Sequence, residues 1–168
     1  VSMPAKKATV EKWVLSSIEL QDAFTDFILS RRAALCSENT ILYYRFTCGQ
    51  FVKWLESQGI TRPDETSARH VRAYLAELAS RGKSDRTVFD HAGGIRTMLK
   101  FWYAEKYLSQ PITFTMPKVA QKRLLSLDAD TLQKVISACD NARDKAIILF
   151  MADSGARRAE TIALNWGD

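Results

Sequence analysis

Apolar residues recur at helical spacing in four separate stretches of this 168-residue chain. The first two stripes consist of Leu20, Phe24, Phe27, Ile28 and Leu35, and of Ile41, Tyr44, Cys48, Phe51, Val52 and Leu55. The third and fourth consist of Val71, Tyr74, Leu75 and Leu78, and of Val88, Ala92, Ile95, Leu99 and Trp102. Steps of three and four residues place such side chains on one face of a helix. Clear alternating runs bounded by hairpin turns are absent, so the sequence predicts an all-α fold.

Capping residues and breakers separate the stretches. A cluster of capping residues, 37–40, precedes the second helix, which we expect from about Glu38 to Glu56, and Ser84 with Thr87 precedes the fourth. Gly59 and Gly82 are the predicted helix ends, because glycine adopts the left-handed backbone at no steric cost.

Two adjacent glycines, Gly93 and Gly94, lie in the middle of the fourth stretch. Glycine lowers helix propensity, so we expect a neighbouring helix to cross closely at this point. The alternative is a bend in the helix.

A segment with two prolines, 110–118, has no helical stripe and is predicted to be a linker. Lys118, Lys122 and Arg123 make this region basic. Beyond it, capping residues at 127–130 predict a further helix that carries Leu132, Val135, Ile136 and Cys139. We therefore place the boundary between two parts of the chain within 110–123.

The next stretch, 146–151, is apolar on all sides, which is typical of a buried helix. Ser154 and Gly155 then break the helix, so that Arg157 is predicted at the start of a new one. A guanidinium held there suits a phosphate or a carboxylate, and Glu160 is close enough in sequence to orient it. An Arg-x-x-Glu pair alone is more typical of a salt bridge on the surface of a helix.

The order of residues from Ser154 to Asp168 is more specific: Ser-Gly-Ala-Arg-Arg-Ala-Glu-Thr-Ile-Ala-Leu-Asn-Trp-Gly-Asp. It resembles the first catalytic box of the tyrosine recombinases, the phage integrase family. The residues in register are Ser154, Gly155, Arg157, Glu160, Leu164, Trp166 and Asp168, whereas Ala156 and Thr161 depart from the pattern. The second and fourth helical stretches also resemble helices of that family's core-binding domain, so the likeness extends from about Leu20 to Asp168.

The resemblance implies a four-helix SAM-like core-binding domain at residues 10–109 and a basic linker at 110–125. Residues 126–168 would then be the first helices of a truncated α+β catalytic domain. In that family two lobes clamp double-stranded DNA, and a tyrosine attacks the phosphate to form a 3′-phosphotyrosyl intermediate without a cofactor. Arg157 would stabilise charge on the phosphate, with Glu160 supporting it.

The family's lysine, His-x-x-Arg and tyrosine boxes would all lie C-terminal to Asp168, so we expect no DNA cleavage by the chain as given. The five tyrosines, His70 and His91 are expected to have structural or surface roles. DNA contacts are expected from the second and fourth helices, including their starts, and from the linker. The residues are Ser37, Asn39, Thr40, Tyr43, Lys83, Ser84, Arg86, Thr87, Arg96, Lys122 and Arg123. Simple capping by the hydroxyl residues, and solvated basic side chains, are the alternative interpretation.

A formal net charge of +5 is compatible with a polyanionic partner such as DNA. Three cysteines without metal-ligand spacing favour a reduced, intracellular protein with no metal site. Neither a membrane-spanning run nor a signal-peptide core is found, which predicts a cytoplasmic protein. The resemblance to the phage integrase family implies that it is DNA-associated and encoded by a bacterium or a phage.

Two other functions remain open at this stage. One is a non-catalytic DNA-binding regulator that has the same helical lobe, and the other is an all-helical adaptor that binds a protein partner. We also expect the segment from Asn141 to Asp168 to expose apolar surface, through which the chain could self-associate.

Overall fold

Helices make up all of the regular structure in residues 18–120 and 126–165, the parts of the chain that the computed structural model describes. The chain divides into two compact units, Val1–Ala120 and Gln121–Asp168. The first contains α1 (Leu20–Ala33), α2 (Glu38–Ser57), a short 3-10 helix (Pro63–Glu65), α3 (Ala68–Ser80) and α4 (Asp85–Ala104). The second contains α5 (Ala129–Ser137), α6 (Ala142–Ser154) and α7 (Arg158–Ala163). The predicted all-α fold is confirmed.

The core of the first unit lies between α2 and α4, with α1 and α3 packed against them. Phe27, Phe51 and Trp102 are fully buried there, and the Trp102 indole donates a hydrogen bond to the Ala23 carbonyl at 3.0 Å. Burial of an indole normally requires such a partner for its N–H. This bond therefore ties the end of α4 to the start of α1.

The helices α2 and α4 cross closely at Gly94. A Cβ atom at this position would lie 2.4 Å from Thr47 Oγ1 and 3.2 Å from Thr47 Cβ, whereas one at Gly93 would meet only the Tyr43 hydroxyl, at 3.3 Å. The close crossing expected from the paired glycines is therefore present, and Gly94 is the residue that requires it.

The α-helices α1 to α4, in the described part of the first unit, end in the same type of turn. Gly59 and Gly82, the two predicted ends, have left-handed backbones with φ of 79° and 75°. Their amides, and those of the residues after them, bond back to the last helical turn. Leu35 and Lys106 occupy the corresponding positions after α1 and α4, with φ of 54° and 62°.

The inclusion of Leu35 in the first helical stripe was wrong. The Leu35 amide donates to the Arg32 carbonyl and the Cys36 amide to the Arg31 carbonyl, which closes α1 with a Schellman turn. The side chain of Leu35 is consequently 91% exposed. Its agreement with the helical spacing was therefore coincidental.

The segment that follows α4 has no regular secondary structure at 111–120, and part of it packs on the first unit. Ile112, Phe114 and Met116 are partly buried against its core. Arg96 of α4 donates a hydrogen bond to the Phe114 carbonyl at 3.3 Å, and its guanidinium lies 5.7 Å from the centre of the Phe114 ring. The predicted linker therefore begins as a strap against α4, and its course is held by Arg96.

The second unit has no buried residue in its described part, 126–165. The expectation of a buried helix at 146–151 was wrong for this structure, since Ile147, Leu149 and Phe150 of α6 are 37%, 50% and 41% exposed. Three short helices are too few to cover a helix that is apolar on all sides. The predicted helix through Cys139 also ends earlier, at Ser137.

Candidate nucleic-acid interface

The helices α2 and α4 begin with the same hydrogen-bonded cap. Ser37 Oγ accepts a hydrogen bond from the Thr40 amide at 3.3 Å, and Ser84 Oγ accepts one from the Thr87 amide at 3.2 Å. In both caps the serine and threonine hydroxyls also lie 2.9 Å apart. A serine satisfies one of the four amides that a helix leaves unpaired at its start, and the rest remain available to solvent or an anion.

The crossing places both helix starts on the same side of the unit. Tyr43 of α2 contacts Asp90 of α4, and Thr47 lies against Gly94 four residues further along each helix. Because the residue numbers rise together, the helices run in the same sense through the crossing. Ser37 and Ser84 precede the Tyr43–Asp90 contact by fewer than two helical turns, and both are exposed, so the two caps face solvent on the same side.

Two predicted cations lie at the start of α4. Lys83 is exposed immediately before the cap, and Arg86 is exposed in the first turn. The Arg86 guanidinium pairs with Asp90 at 3.1 Å and lies 5.7 Å from the centre of the Phe89 ring. An exposed pair of this kind contributes little to stability, so Arg86 can exchange its partner for a phosphate.

Two other residues that were predicted to contact DNA form hydrogen bonds within the first unit. The Tyr43 hydroxyl donates to the Asp90 carbonyl at 2.5 Å, and burial raises the pKa of this phenol. Tyr43 therefore joins α2 to α4. Arg96 is bound to Phe114 as described above, so it orients the strap, although its guanidinium still has free N–H donors.

Three exposed cations were missed in the sequence: Arg45 and Lys53 on α2, and Lys100 on α4. Arg45 and Lys53 border an open groove of about 370 Å³ whose lining includes Phe24 and Gly49. Arg45 and Lys53 lie outside the apolar stripe of α2. The sequence therefore already indicated that they face solvent.

Acidic residues limit the positive potential at the two helix starts. Glu38 and Asp85 are in the first turns of α2 and α4, and both are exposed. A carboxylate near a helix start interacts favourably with the helix dipole and competes with a phosphate for the same amides. Cations such as Lys83 and Arg86 are therefore needed to attract an anion here.

Both histidines have structural contacts. His70 Nδ1 accepts a hydrogen bond from the Ser67 amide at 3.2 Å and so caps α3. His91 is 2% exposed, and its Nδ1 lies 3.1 Å from the Tyr74 hydroxyl. Burial lowers the pKa of His91, with Asp90 opposing and Lys83 reinforcing this change.

We expect the first unit to lose stability as the pH falls below about 6.5, the ordinary pKa of histidine in the unfolded chain. Below that pH residue 91 binds a proton more strongly in the unfolded chain than in the folded unit, where it is buried. One such group changes the unfolding free energy by at most about 1.4 kcal/mol per pH unit. Urea unfolding at pH 7.5 and 5.5 measures the loss. It should be smaller in His91→Gln, and an equal loss in both proteins would contradict this assignment.

The predicted arginine box has the expected local geometry. Gly155 ends α6 with φ of 66°, and Arg157 is the N-cap of α7. Glu160 accepts two hydrogen bonds from Arg157, one from its amide at 2.8 Å and one from its guanidinium at 3.1 Å. The Arg157 side chain is nevertheless 84% exposed, so it is oriented by Glu160 and open to a ligand.

Ser154 stabilises the turn that precedes Arg157. Its hydroxyl donates to the Phe150 carbonyl at 2.6 Å and accepts from the Ala156 amide at 3.2 Å. Thr161, a departure from the family pattern, donates from its hydroxyl to the Arg157 carbonyl at 3.1 Å.

Four residues of the predicted sites lie outside the described residues. They are Lys122 and Arg123 of the linker and Trp166 and Asp168 of the box. Within the described ranges, no group of three or more His, Cys, Asp or Glu side chains is arranged to hold a metal ion. No helix there combines the length and the apolar character needed to cross a bilayer.

Comparison with known proteins gives a consistent result. The sequence model of a family described as "Phage integrase, N-terminal SAM-like domain" matches residues 23–113. The chain is 30% identical over 131 residues to tyrosine recombinase XerC of Anoxybacillus flavithermus, covering 74% of this chain and 44% of that protein. It is 29% identical over 132 residues to tyrosine recombinase XerA of Pyrococcus horikoshii, covering 79% and 42%.

A third relative, tyrosine recombinase XerD of Bifidobacterium longum, is 25% identical over 139 residues, covering 77% of this chain and 45% of that protein. The chain therefore spans less than half the length of these curated relatives.

Proposed function

The chain belongs to the tyrosine recombinase, or phage integrase, family, and on this basis we propose that its first unit binds double-stranded DNA through the starts of α2 and α4. The observation that carries the proposal is the shared orientation of these two capped helices, with Lys83 and Arg86 beside the second cap. Helix amides and cations on one surface suit the phosphates of a duplex.

Electrostatic attraction to phosphates would supply most of the affinity. Each phosphate that a Lys or Arg neutralises releases condensed counterions, which makes binding weaken as salt increases. Arg45, Lys53 and Lys100 add positive charge to the exposed faces of the same two helices. Lys122 and Arg123 would extend the contact along the linker, in keeping with the proposed division into 10–109, 110–125 and 126–168.

The test is fluorescence anisotropy with the whole chain and a labelled duplex of arbitrary sequence. With about three phosphate contacts, we expect the dissociation constant to rise about 40-fold between 50 and 200 mM salt, since the slope of log K against log salt is about −0.9 per contact. A salt-independent affinity, or no binding at low salt, would favour the adaptor function instead.

For the longer protein we propose site-specific cutting and rejoining of DNA through a phosphotyrosyl intermediate. Arg157 would contact the phosphate that reacts, where a permanently charged, bidentate group can stabilise the extra negative charge of the transition state. Glu160 would be its positioning residue, as their two hydrogen bonds suggest. A non-catalytic regulator with the same lobe is the alternative. Assays of covalent DNA attachment by the complete gene product distinguish the two.

A further inference from the structure

A groove of about 310 Å³ lies between α4 and the strap that follows it. Its helix side is formed by Arg96, Leu99, Lys100 and Tyr103, and its strap side by Pro111, Ile112, Thr113 and Phe114. The helix residues are three or four positions apart, so they form one continuous face.

The groove has a mainly apolar interior whose walls are held in place. Leu99 is only 2% exposed and belongs to the core, whereas Tyr103 is 46% exposed. Ile112 and Phe114 pack against the same core, which keeps the strap at its distance from α4. The groove is therefore formed before any ligand arrives, as small-molecule sites usually are.

Positive charge is concentrated on the helix side. Arg96 and Lys100 are one turn apart, and none of the lining residues is acidic. Arg96 uses one terminal nitrogen for the Phe114 carbonyl at 3.3 Å, and a guanidinium has five N–H donors in all. Both side chains can therefore bind a carboxylate beside the apolar interior.

We propose that this groove binds an apolar carboxylate, that is, one carboxylate attached to a ring or a short aliphatic body. The volume is at the lower end for ligand sites, which suits a single ring or one to two side chains. A DNA backbone would leave the apolar interior unfilled. The same ligand chemistry occurs in free aryl-alkanoates and in the C-terminal residue of a polypeptide.

The site also bears on the linker. One wall is the strap, and Arg96 contacts both the strap and the proposed carboxylate position. A bound carboxylate would share the guanidinium with the Phe114 carbonyl, so the ligand and the strap would contact the same side chain.

The test is a ¹H–¹⁵N NMR titration of the whole chain with 4-phenylbutyrate and, as a neutral control, 4-phenylbutanol. We expect saturable shifts at Lys100, Tyr103, Thr113 and Phe114, with a dissociation constant of about 1 mM, which is reasonable for about a dozen non-hydrogen atoms. The alcohol should bind at least about 10-fold more weakly, because it lacks the charge. Acetyl-leucyl-phenylalanine and its C-terminal amide form the second pair. Tighter binding of 4-phenylbutyrate would indicate a free aryl-alkanoate as the ligand, and tighter binding of the peptide acid would indicate the C-terminal residue of a polypeptide.

Charge-reversal variants distinguish binding in this groove from a non-specific attraction of the carboxylate to positive charge. Lys100→Glu should weaken 4-phenylbutyrate binding at least about five-fold, whereas Lys53→Glu, the same change on the exposed face of α2, should leave it unchanged. No saturation with either acid at about 20 mM, equal binding of acid and neutral control, or equal effects of the two substitutions would overturn the proposal.

Discussion

Gly94→Ala is expected to lower the unfolding free energy of the first unit by about 2 kcal/mol, although alanine has a helix propensity about 1 kcal/mol more favourable than glycine. The added Cβ would lie 2.4 Å from Thr47 Oγ1, a distance that requires a shift. Thr47 has little freedom to move, because it is 3% exposed and its hydroxyl bonds to the Tyr43 carbonyl at 2.8 Å. The helices α2 and α4 must therefore separate.

Urea unfolding of four variants tests this expectation: Gly94→Ala, Gly93→Ala, Thr47→Ala, and Gly94→Ala combined with Thr47→Ala. Gly93→Ala is the matched control, since its Cβ would meet only the end of the Tyr43 side chain at 3.3 Å, and we expect its stability to be unchanged or slightly higher. Introducing Thr47→Ala should recover part of the loss in Gly94→Ala, which a double-mutant cycle measures. Equal stability of Gly94→Ala and Gly93→Ala would show that the helices do not cross as closely as described.

The double substitution Lys83→Gln with Arg86→Gln should weaken DNA binding about 60-fold at 0.1 M salt. Each lost phosphate contact removes a factor of about eight at that salt concentration, because the slope of log K against log salt is about −0.9 per contact. The slope itself should fall by about two. Stability should change little, since the Arg86–Asp90 pair is exposed.

Arg69→Gln with Arg72→Gln is the matched control for charge. Both arginines are exposed in the first turns of α3, whose other end leads to the start of α4. We expect less than a three-fold change in affinity, which is within the range of a general charge effect. If both double variants weaken binding equally, DNA is not bound at the start of α4.

The parts of the fold that could be predicted from the sequence are those set by residues close together in the chain. The apolar stripes gave the four helices because burial follows the helical period, and Gly59 and Gly82 gave two helix ends because glycine is common at left-handed positions. Leu35 and Lys106 make the same turn without glycine, so no residue type marked these two ends. A helical stripe was therefore extended to a side chain that is exposed.

The contacts that position the candidate sites were less predictable because they join distant residues. Tyr43 and Asp90 are 47 positions apart, and Arg96 and Phe114 are 18 apart. From the sequence, Tyr43 and Arg96 were polar residues on the second and fourth helices, and we therefore predicted that they contact DNA. Only the packing of α2, α4 and the strap shows that both already have partners within the unit.

The Arg157–Glu160 box could be predicted because its contacts join residues that are close in sequence. Its residues were identified as a motif, and its hydrogen bonds are local enough to follow from that order: Gly155 ends one helix, and Glu160 accepts a hydrogen bond from the amide of Arg157, the N-cap of the next. The apolar residues of α6 were also recognised, but their burial depends on surface supplied from elsewhere, and the described part of the second unit does not supply it.

The turn around Gly155 also has a consequence for the order of folding. The Ser154 hydroxyl donates to the Phe150 carbonyl and accepts from the Ala156 amide, and Arg157 is bonded in the same way to near neighbours, Glu160 and Thr161. These side-chain hydrogen bonds span no more than four residues. Trp102 and Ala23, by contrast, must meet across 79 residues of chain. Contacts of low sequence separation form on the microsecond scale with little loop entropy to overcome. The hydrogen bonds that orient the arginine can thus form once residues 150–161 are present, without waiting for distant segments to assemble.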